Sequence, residues 1–370
     1  LLTCIPAMLL CYWCFGYGAW LCLALMLAAG IIAHHQKLSA LLAVGILLLP
    51  ATQYPATTWW SKPDLDREYV LSLDVEHYFG NIQKMRKHLE TDRQILWVTY
   101  YRNLYNATHP SEINSPVSLS RNLLAWNQPG TNGLILPVNP SASFLSILFA
   151  NELWFTLGDM TMAEHCAMLS MIFSPRNSGS RMIKRLAEIN LVNGDDEAAL
   201  KYLRILDKTL LHKSWAEKRI PGQQTPRVKE WLEKKRRDIP TQDQLRSGND
   251  AVTSLRNLVA SNAGNLRAYE YLLCYHLLSK DLRSFVEDYV PGKVSSPIFA
   301  EALLIHLARQ GNIRAEELIK YQIPVEIAKE FADYTRLYEA KDTSLKEKYG
   351  KTYWFYYHFA TTEPGKESKP

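Results

Sequence analysis

The chain has 370 residues, 47% hydrophobic and 21% charged, with 42 Lys and Arg against 37 Asp and Glu. A net charge of +5, ample apolar surface and six cysteines exclude a disordered, a collagen-like or a disulfide-stapled protein. The averages hide an uneven layout, because residues 1–36 carry no Lys, Arg, Asp or Glu and Lys37 is the one charge before Lys62.

A helix crosses a bilayer core with about 20 apolar residues. Leu1 to Ala33 exceeds one span, and the cluster Tyr12 to Trp20 divides it, since Trp and Tyr favour the interface and Gly16 and Gly18 permit a tight turn. The predicted elements are a hydrophobic segment ending near Phe15, a second from Gly18 to Ala33 and a third from Leu38 to Trp60, ended or kinked at Pro50. A secretory leader would need a basic start, one short apolar core and a cleavage site of small residues, and the sequence has none of these. Because the chain begins inside an apolar run, further spans are expected before Leu1. Lys37, in the short loop His34–Lys37, places that loop in the cytoplasm by the positive-inside bias, and everything after Trp60 outside it. The expected organisation is a membrane region, 1–60, in a bacterial inner membrane, followed by a soluble, extracytoplasmic domain, 61–370. Cys11 and Cys14 make a C-x-x-C with no second ligand pair, and read as small apolar residues in lipid.

From Pro63 onward the apolar residues recur at three- and four-residue spacing, which predicts an all-α region. Leu65–Thr91 reads as a helical hairpin turning at Phe79-Gly80-Asn81. His109–Pro140 follows, an irregular connection containing Pro110, Pro116, Pro129, Pro137 and Pro140, with a helical island at Asn122–Trp126. Long connections often carry ligands, although packing across neighbouring hairpins explains this one at least as well. Asn106-Ala107-Thr108 fits a glycosylation sequon.

An internal repeat comes next. In Phe144–Asn177 a helix carrying Leu148, Asn151 and Trp154 ends at Gly158-Asp159, a second carries Ala163 and Ala167, and Pro175 closes the unit. Gly194-Asp195 and Ala199 recur 36 residues after Gly158-Asp159 and Ala163. Glycine takes the left-handed conformation that ends a helix, alanine lets the second helix approach closely, and Asp195 and Asp196 cap its positive end. This pattern resembles tetratricopeptide-like repeats, which implies a superhelix of antiparallel helix pairs. The chain departs from that pattern at Asn190, where Trp154 would recur, and at Leu211, where Pro175 would. Looser copies lie at Leu266–Val290, turning at Ser279-Lys280-Asp281, and at Pro297–Lys320, turning at Gly311-Asn312. Spans followed by helical repeats and an aromatic tail also look like an uncharacterised family of membrane proteins from Bacteroidota, a resemblance that brings no activity with it.

Between His212 and Asp238 there are nine Lys and Arg and four acids, a surplus equal to the whole net charge. Lys234 to Arg237 could bind phosphate, but i,i+4 pairs Glu230 with Lys234 and Glu233 with Arg237 make a solvated helix the better expectation. Nucleic acid is not expected, for no aromatic stacking platform accompanies the charge. The sequence contains no metal-ligand spacing, phosphate loop or nucleophile elbow, so catalytic, cofactor-binding and metal-binding residues and cofactors are all absent from the prediction. In Glu164-His165-Cys166 the neighbours point about 100° apart on a helix and are not a catalytic group. The aromatic tail, Tyr349 to Phe359, reads as a helix capping the last hairpin.

The function expected is a membrane-anchored helical-repeat scaffold for a protein or peptide partner, with Asn151, Trp154, Lys184 and Asn190 on its concave face. The alternative is the C-terminal part of a multi-span enzyme, for example a transferase using a lipid-linked sugar, with its active site in spans before Leu1.

Overall fold

The computed structural model describes residues 64–90, 95–109, 119–127, 129–138, 143–173, 179–241 and 250–360. The expected spans, Cys11, Cys14 and the His34–Lys37 loop lie outside the described residues, as do Pro110, Pro116, Pro140 and Pro175. The chain divides into two compact units, residues 1–69 and 70–370. Of the first, Asp64–Tyr69 is described, the first turns of a helix that Asp64 opens by accepting the Arg67 N–H at 3.0 Å.

All regular structure in the described residues is helical. In chain order the helices are α1 (Leu65–Phe79), α2 (Ile82–Leu89), α3 (Leu96–Thr108), α4 (Leu123–Trp126, after a 3-10 turn), α5 (Phe144–Leu157), α6 (Met160–Phe173), α7 (Ser180–Asn193), α8 (Asp196–Asp207) and α9 (Lys213–Glu217). There follow α10 (Pro226–Arg236), α11 (Ala251–Ser261), α12 (Leu266–Leu278), α13 (Leu282–Asp288), α14 (Pro297–Arg309), α15 (Ala315–Lys320), α16 (Val325–Glu339), α17 (Leu345–Tyr349) and α18 (Tyr353–Phe359). Among the described residues no helix is long and apolar enough to cross a membrane.

One turn design recurs along the chain. Gly80, Gly158, Gly194, Lys280 and Gly311 each take a positive φ at the end of a helix. The next residue then sends its N–H back to the carbonyl five positions earlier: Asn81 to Glu76, Asp159 to Trp154, Asp195 to Asn190, Asp281 to His276, Asn312 to Leu307. These bonds satisfy carbonyls that a helix end otherwise leaves open. In three of the turns the same residue starts the next helix, for Asp159, Asp195 and Asp281 accept the N–H groups of Met162, Ala198 and Ser284 at 2.8, 2.9 and 3.0 Å. Each such cap contributes about 1 kcal/mol. The turns predicted from the sequence at Gly80, Gly158, Gly194, Lys280 and Gly311 are all present.

The paired helices α5–α6 and α7–α8 pack against each other, and α7 lies along α6. Ala163 and Ala199 are fully buried at the predicted crossings. Tyr202 of α8 joins the two hairpins, packing on Ala167, Met182 and Leu186 and also on Ala187, Leu203 and Leu206. Further along, α12–α13, α13–α14 and α14–α16 continue the pairwise packing.

Within the described part of the connection after α3, Leu134 and Leu136 are buried. Asn103 donates to Asn127 Oδ1 at 2.9 Å and to the Gly133 carbonyl at 2.8 Å, which ties the loop to α3. Asn122–Trp126 forms helical structure as expected. At the other end α18 sits on α14. Tyr353 and Tyr356 donate to the Leu277 and Leu278 carbonyls at 3.0 and 2.8 Å, and the Trp354 indole donates to Glu301 O at 3.0 Å. The aromatic tail therefore closes the C-terminal end of α12 as well as covering α14.

Candidate functional site

A cluster of ion pairs is built on α1, α5 and α7. Positions 181, 185 and 188 share one face of α7, and that face meets Asp74 of α1 and Glu152 of α5. Arg181 grips Asp74 with both Nη atoms, at 2.5 and 2.8 Å, and reaches Glu152 Oε1 at 2.8 Å. Arg185 donates to Glu152 Oε2 at 2.6 Å and to Glu188 at 3.1 Å. Tyr101 of α3 donates to Asp74 Oδ1 at 2.5 Å, and His77 Nε2 lies 3.7 Å from Glu152. Asp74 and Glu152 are each 4% exposed, so this ladder is an interior one. Burial pushes the Glu152 carboxyl up, but Arg185 and Arg181 outweigh it and hold the group well below the usual range. In the same way burial lowers Arg181, while Glu152 and Asp74 more than reverse the effect.

Around the ladder, cations lie on aromatic faces. Arg181 and Lys184 stand 4.7 and 5.8 Å from the Tyr78 ring, and Lys184 and Arg219 stand 5.2 and 4.0 Å from the Trp215 ring. Arg185 and Lys235 are 3.8 and 4.6 Å from the Phe155 ring, which also stacks on Trp231. Such contacts hold a cation where no carboxylate does. Among the described residues Lys184, Arg219 and Lys235 have no salt bridge. Burial lowers all three, Lys235 to about 8.

The basic run is thus divided between solvent and interior. Lys234 and Arg237 are exposed, and the expected pairs to Glu230 and Glu233 are replaced by contacts of their neighbours with helix ends. Lys235 reaches the Phe155 carbonyl at 3.5 Å, and Arg236 donates to Val192 O and Leu191 O at 3.0 and 2.8 Å. Positive charge at helix C-termini is stabilised by the aligned peptide dipoles. Residues 235–238 thus form a strap across the ends of α5 and α7, which Asn265 completes by donating to Leu157 O at 2.7 Å and Asp238 O at 2.8 Å, and Arg267 pairs with Asp238 at 3.2 Å.

Of the four residues expected on an accessible face, only Lys184 retains a half-exposed side chain. Asn151 is fully buried and donates to the Ala163 carbonyl at 2.6 Å, where α5 and α6 cross. Trp154 is 2% exposed, and Asn190 is buried with its amide donating to Leu186 O of its own helix at 2.7 Å. The reason is that α5 is covered on nearly all sides, so its polar positions face other helices. Tyr78, Trp215, Glu188 and Arg219 are half-buried side chains that the sequence reading passed over. Asn106 of the sequon and Cys166 are buried, which withdraws both from surface chemistry. No curated protein and no solved structure matches the chain. A family of unknown function, DUF6057, matches residues 41–360, most of the length, and the chain belongs to it.

Proposed function

We propose that the chain is a membrane-anchored scaffold whose tetratricopeptide-like hairpins hold a protein or peptide partner, with residues 61–370 outside the cytoplasm. One observation carries this: α5–α6 and α7–α8 are successive hairpins with the same left-handed glycine, the same aspartate cap and the same buried alanine, one laid against the next. Stacked hairpins of this design present an extended surface, which suits a segment of another chain better than a small substrate; α5 is covered, so the accessible part lies on α1 and α7. On α1 and α7 that surface carries Tyr78, Lys184 and Glu188, with Trp215 beside them. Aromatic and cationic side chains of this kind dominate binding energy where they are clustered.

The test is selection of displayed peptides on the full chain, immobilised in mild detergent. A recurring consensus is expected, and its affinity should fall by about tenfold, or about 1.4 kcal/mol, in Tyr78→Ala and Trp215→Ala. Melting curves of the two variants should overlay that of the parent within the loss expected for a half-buried ring. Peptides without a consensus, or a consensus indifferent to both substitutions, would reject the scaffold.

A further inference from the structure

The charges of the cluster do not balance. Three carboxylates, Asp74, Glu152 and Glu188, face five cations, Arg181, Lys184, Arg185, Arg219 and Lys235. The neighbouring Asp238 and Arg267 neutralise each other, and Arg227 adds further positive potential at Arg219. Asp74 and Glu152 are paired with Arg181 and Arg185, so Glu188, which also bonds to Arg185, is the carboxylate left to offset Lys184 and Arg219, while Lys235 is offset by Asp238 and Glu188 together. Leaving like charges together in a half-buried place costs free energy, which an incoming anion would recover.

Donors are also left over. The Nε–H of Arg185, a residue 7% exposed, has no hydrogen-bond partner, and neither has that of Arg219. Arg219 donates one Nη to the Trp215 carbonyl at 3.2 Å, its Nε–H is buried without a partner, and its guanidinium lies over the Trp215 ring with no salt bridge among the described residues. Lys184 is placed beside the same indole ring and supplies an ammonium with three donors. The aromatic rings fix these cations in position before any ligand arrives, which reduces the ordering cost of binding.

We infer that Lys184 and Arg219, flanking Trp215 and Tyr78 on the α7 and α9 side of the cluster, form a binding site for a dianionic phosphate group. The surplus of two positive charges matches a phosphate monoester, whose oxygens can meet the Lys184 ammonium and the Arg219 guanidinium on either side of one indole ring. Glu188 occupies the space electrostatically when the site is empty of ligand and competes with it. The site does not require the scaffold proposal: a phosphate can bind here whether or not the hairpins hold a peptide.

The experiment uses the full chain in mild detergent, with inorganic phosphate titrated by calorimetry and with vesicles of phosphatidylcholine with and without phosphatidic acid in a flotation assay. Saturable phosphate binding is expected, weakened about tenfold or more in Lys184→Gln/Arg219→Gln and unchanged in Lys229→Gln/Lys234→Gln, which removes two exposed charges from α10. Glu188→Gln should bind more tightly by several-fold, a gain that a purely structural network would not produce. Binding of phosphate alone identifies a soluble phosphate ligand, while additional, Lys184-dependent flotation with phosphatidic acid identifies a lipid headgroup. The inference is overturned if neither phosphate source binds, if both double variants weaken binding equally, or if Glu188→Gln weakens it. Either result leaves the peptide selection unaffected, so failure of this site and failure of the scaffold are told apart.

Discussion

Gly158 and Gly194 occupy the same place in successive hairpins, yet replacing them by alanine should have unequal costs. Both are left-handed, with φ of 92° and 82°, and an alanine in that conformation costs about 1–2 kcal/mol at either position. At Gly194 the new methyl group meets nothing within 4 Å, so the conformational cost is the whole cost. At Gly158 it would lie 2.2 Å from the Asp238 carbonyl oxygen and 2.7 Å from its carbon. Asp238 cannot move aside locally, because its carbonyl accepts from Asn265 at 2.8 Å and its carboxylate pairs with Arg267 at 3.2 Å. The strap must lift, which adds about 1–3 kcal/mol of overpacking and about 1–3 kcal/mol for the buried hydrogen bonds it releases. Urea unfolding of the full chain in mild detergent should therefore show a loss of about 3–8 kcal/mol for Gly158→Ala and about 1–2 kcal/mol for Gly194→Ala. In an Asn265→Ala background the Gly158→Ala increment should shrink, since the released bond is already gone. Equal losses for the two glycines would refute the account, for they would mean that the strap does not bear on the α5–α6 turn.

Glu152→Gln should cost about 3–5 kcal/mol in the same assay, because it leaves Arg181 and Arg185 buried with too little counter-charge; a loss below about 1 kcal/mol would show that the ladder is solvated. Burial raises Glu301, whose carboxylate accepts the Tyr353 N–H at 2.5 Å, from 4.5 to about 7. Its proton is thus held more tightly in the folded state, so the associated stability is present below pH about 4.5 and is lost as pH rises through about 7. That amounts to about 3 kcal/mol, and Glu301→Gln should flatten this part of a pH series of melting temperatures. Lys341 is exposed with φ 52°, so Lys341→Gly should stabilise the chain by up to about 1 kcal/mol, whereas an unchanged unfolding midpoint would mean that its turn relaxes freely. Ala199→Leu should overpack the α7–α8 crossing by about 1–3 kcal/mol, a loss visible in the unfolding midpoint.

The hairpins were legible in the sequence because everything that makes them is local. Gly158-Asp159 and Gly194-Asp195 display, in two adjacent letters, the left-handed stop of one helix and the cap of the next. The same turn at Gln322, where the Ile323 N–H reaches the Leu318 carbonyl at 2.8 Å, carries no such signal, since a glutamine at φ 54° looks like any other polar residue in a helix. Three of the four residues expected on an accessible face, Asn151, Trp154 and Asn190, are buried for a related reason. Periodicity says which positions of α5 share a face with Asn151, but not that other helices cover that face too, so a polar residue is assigned to solvent when it is in fact satisfying a carbonyl at a crossing.

The charge cluster was invisible for the opposite reason, because its bonds join distant parts of the chain: Asp74 to Arg181, Glu152 to Arg185, Lys235 to Phe155. A count of charges along the chain locates an excess at 212–238 but cannot say which members face inward. On α10 the deciding fact is register. Trp231 and Lys235 are four residues apart and share the face that meets Phe155, whereas Lys234 and Arg237 fall on the outward side. One helical face therefore turns a solvated basic stretch into two functions at once: Lys235 and Arg236 close the ends of α5 and α7, and Lys235 adds its charge to a cluster that already holds too many cations for its carboxylates. A helix whose charges served only solubility would have no need to bury one of them against an aromatic ring at the cost of part of its proton affinity. Lys235 does so beside Arg185 and within the fields of Asp238 and Glu188, so the charge that closes the end of α5 belongs electrostatically to the same cluster as the ladder on α7.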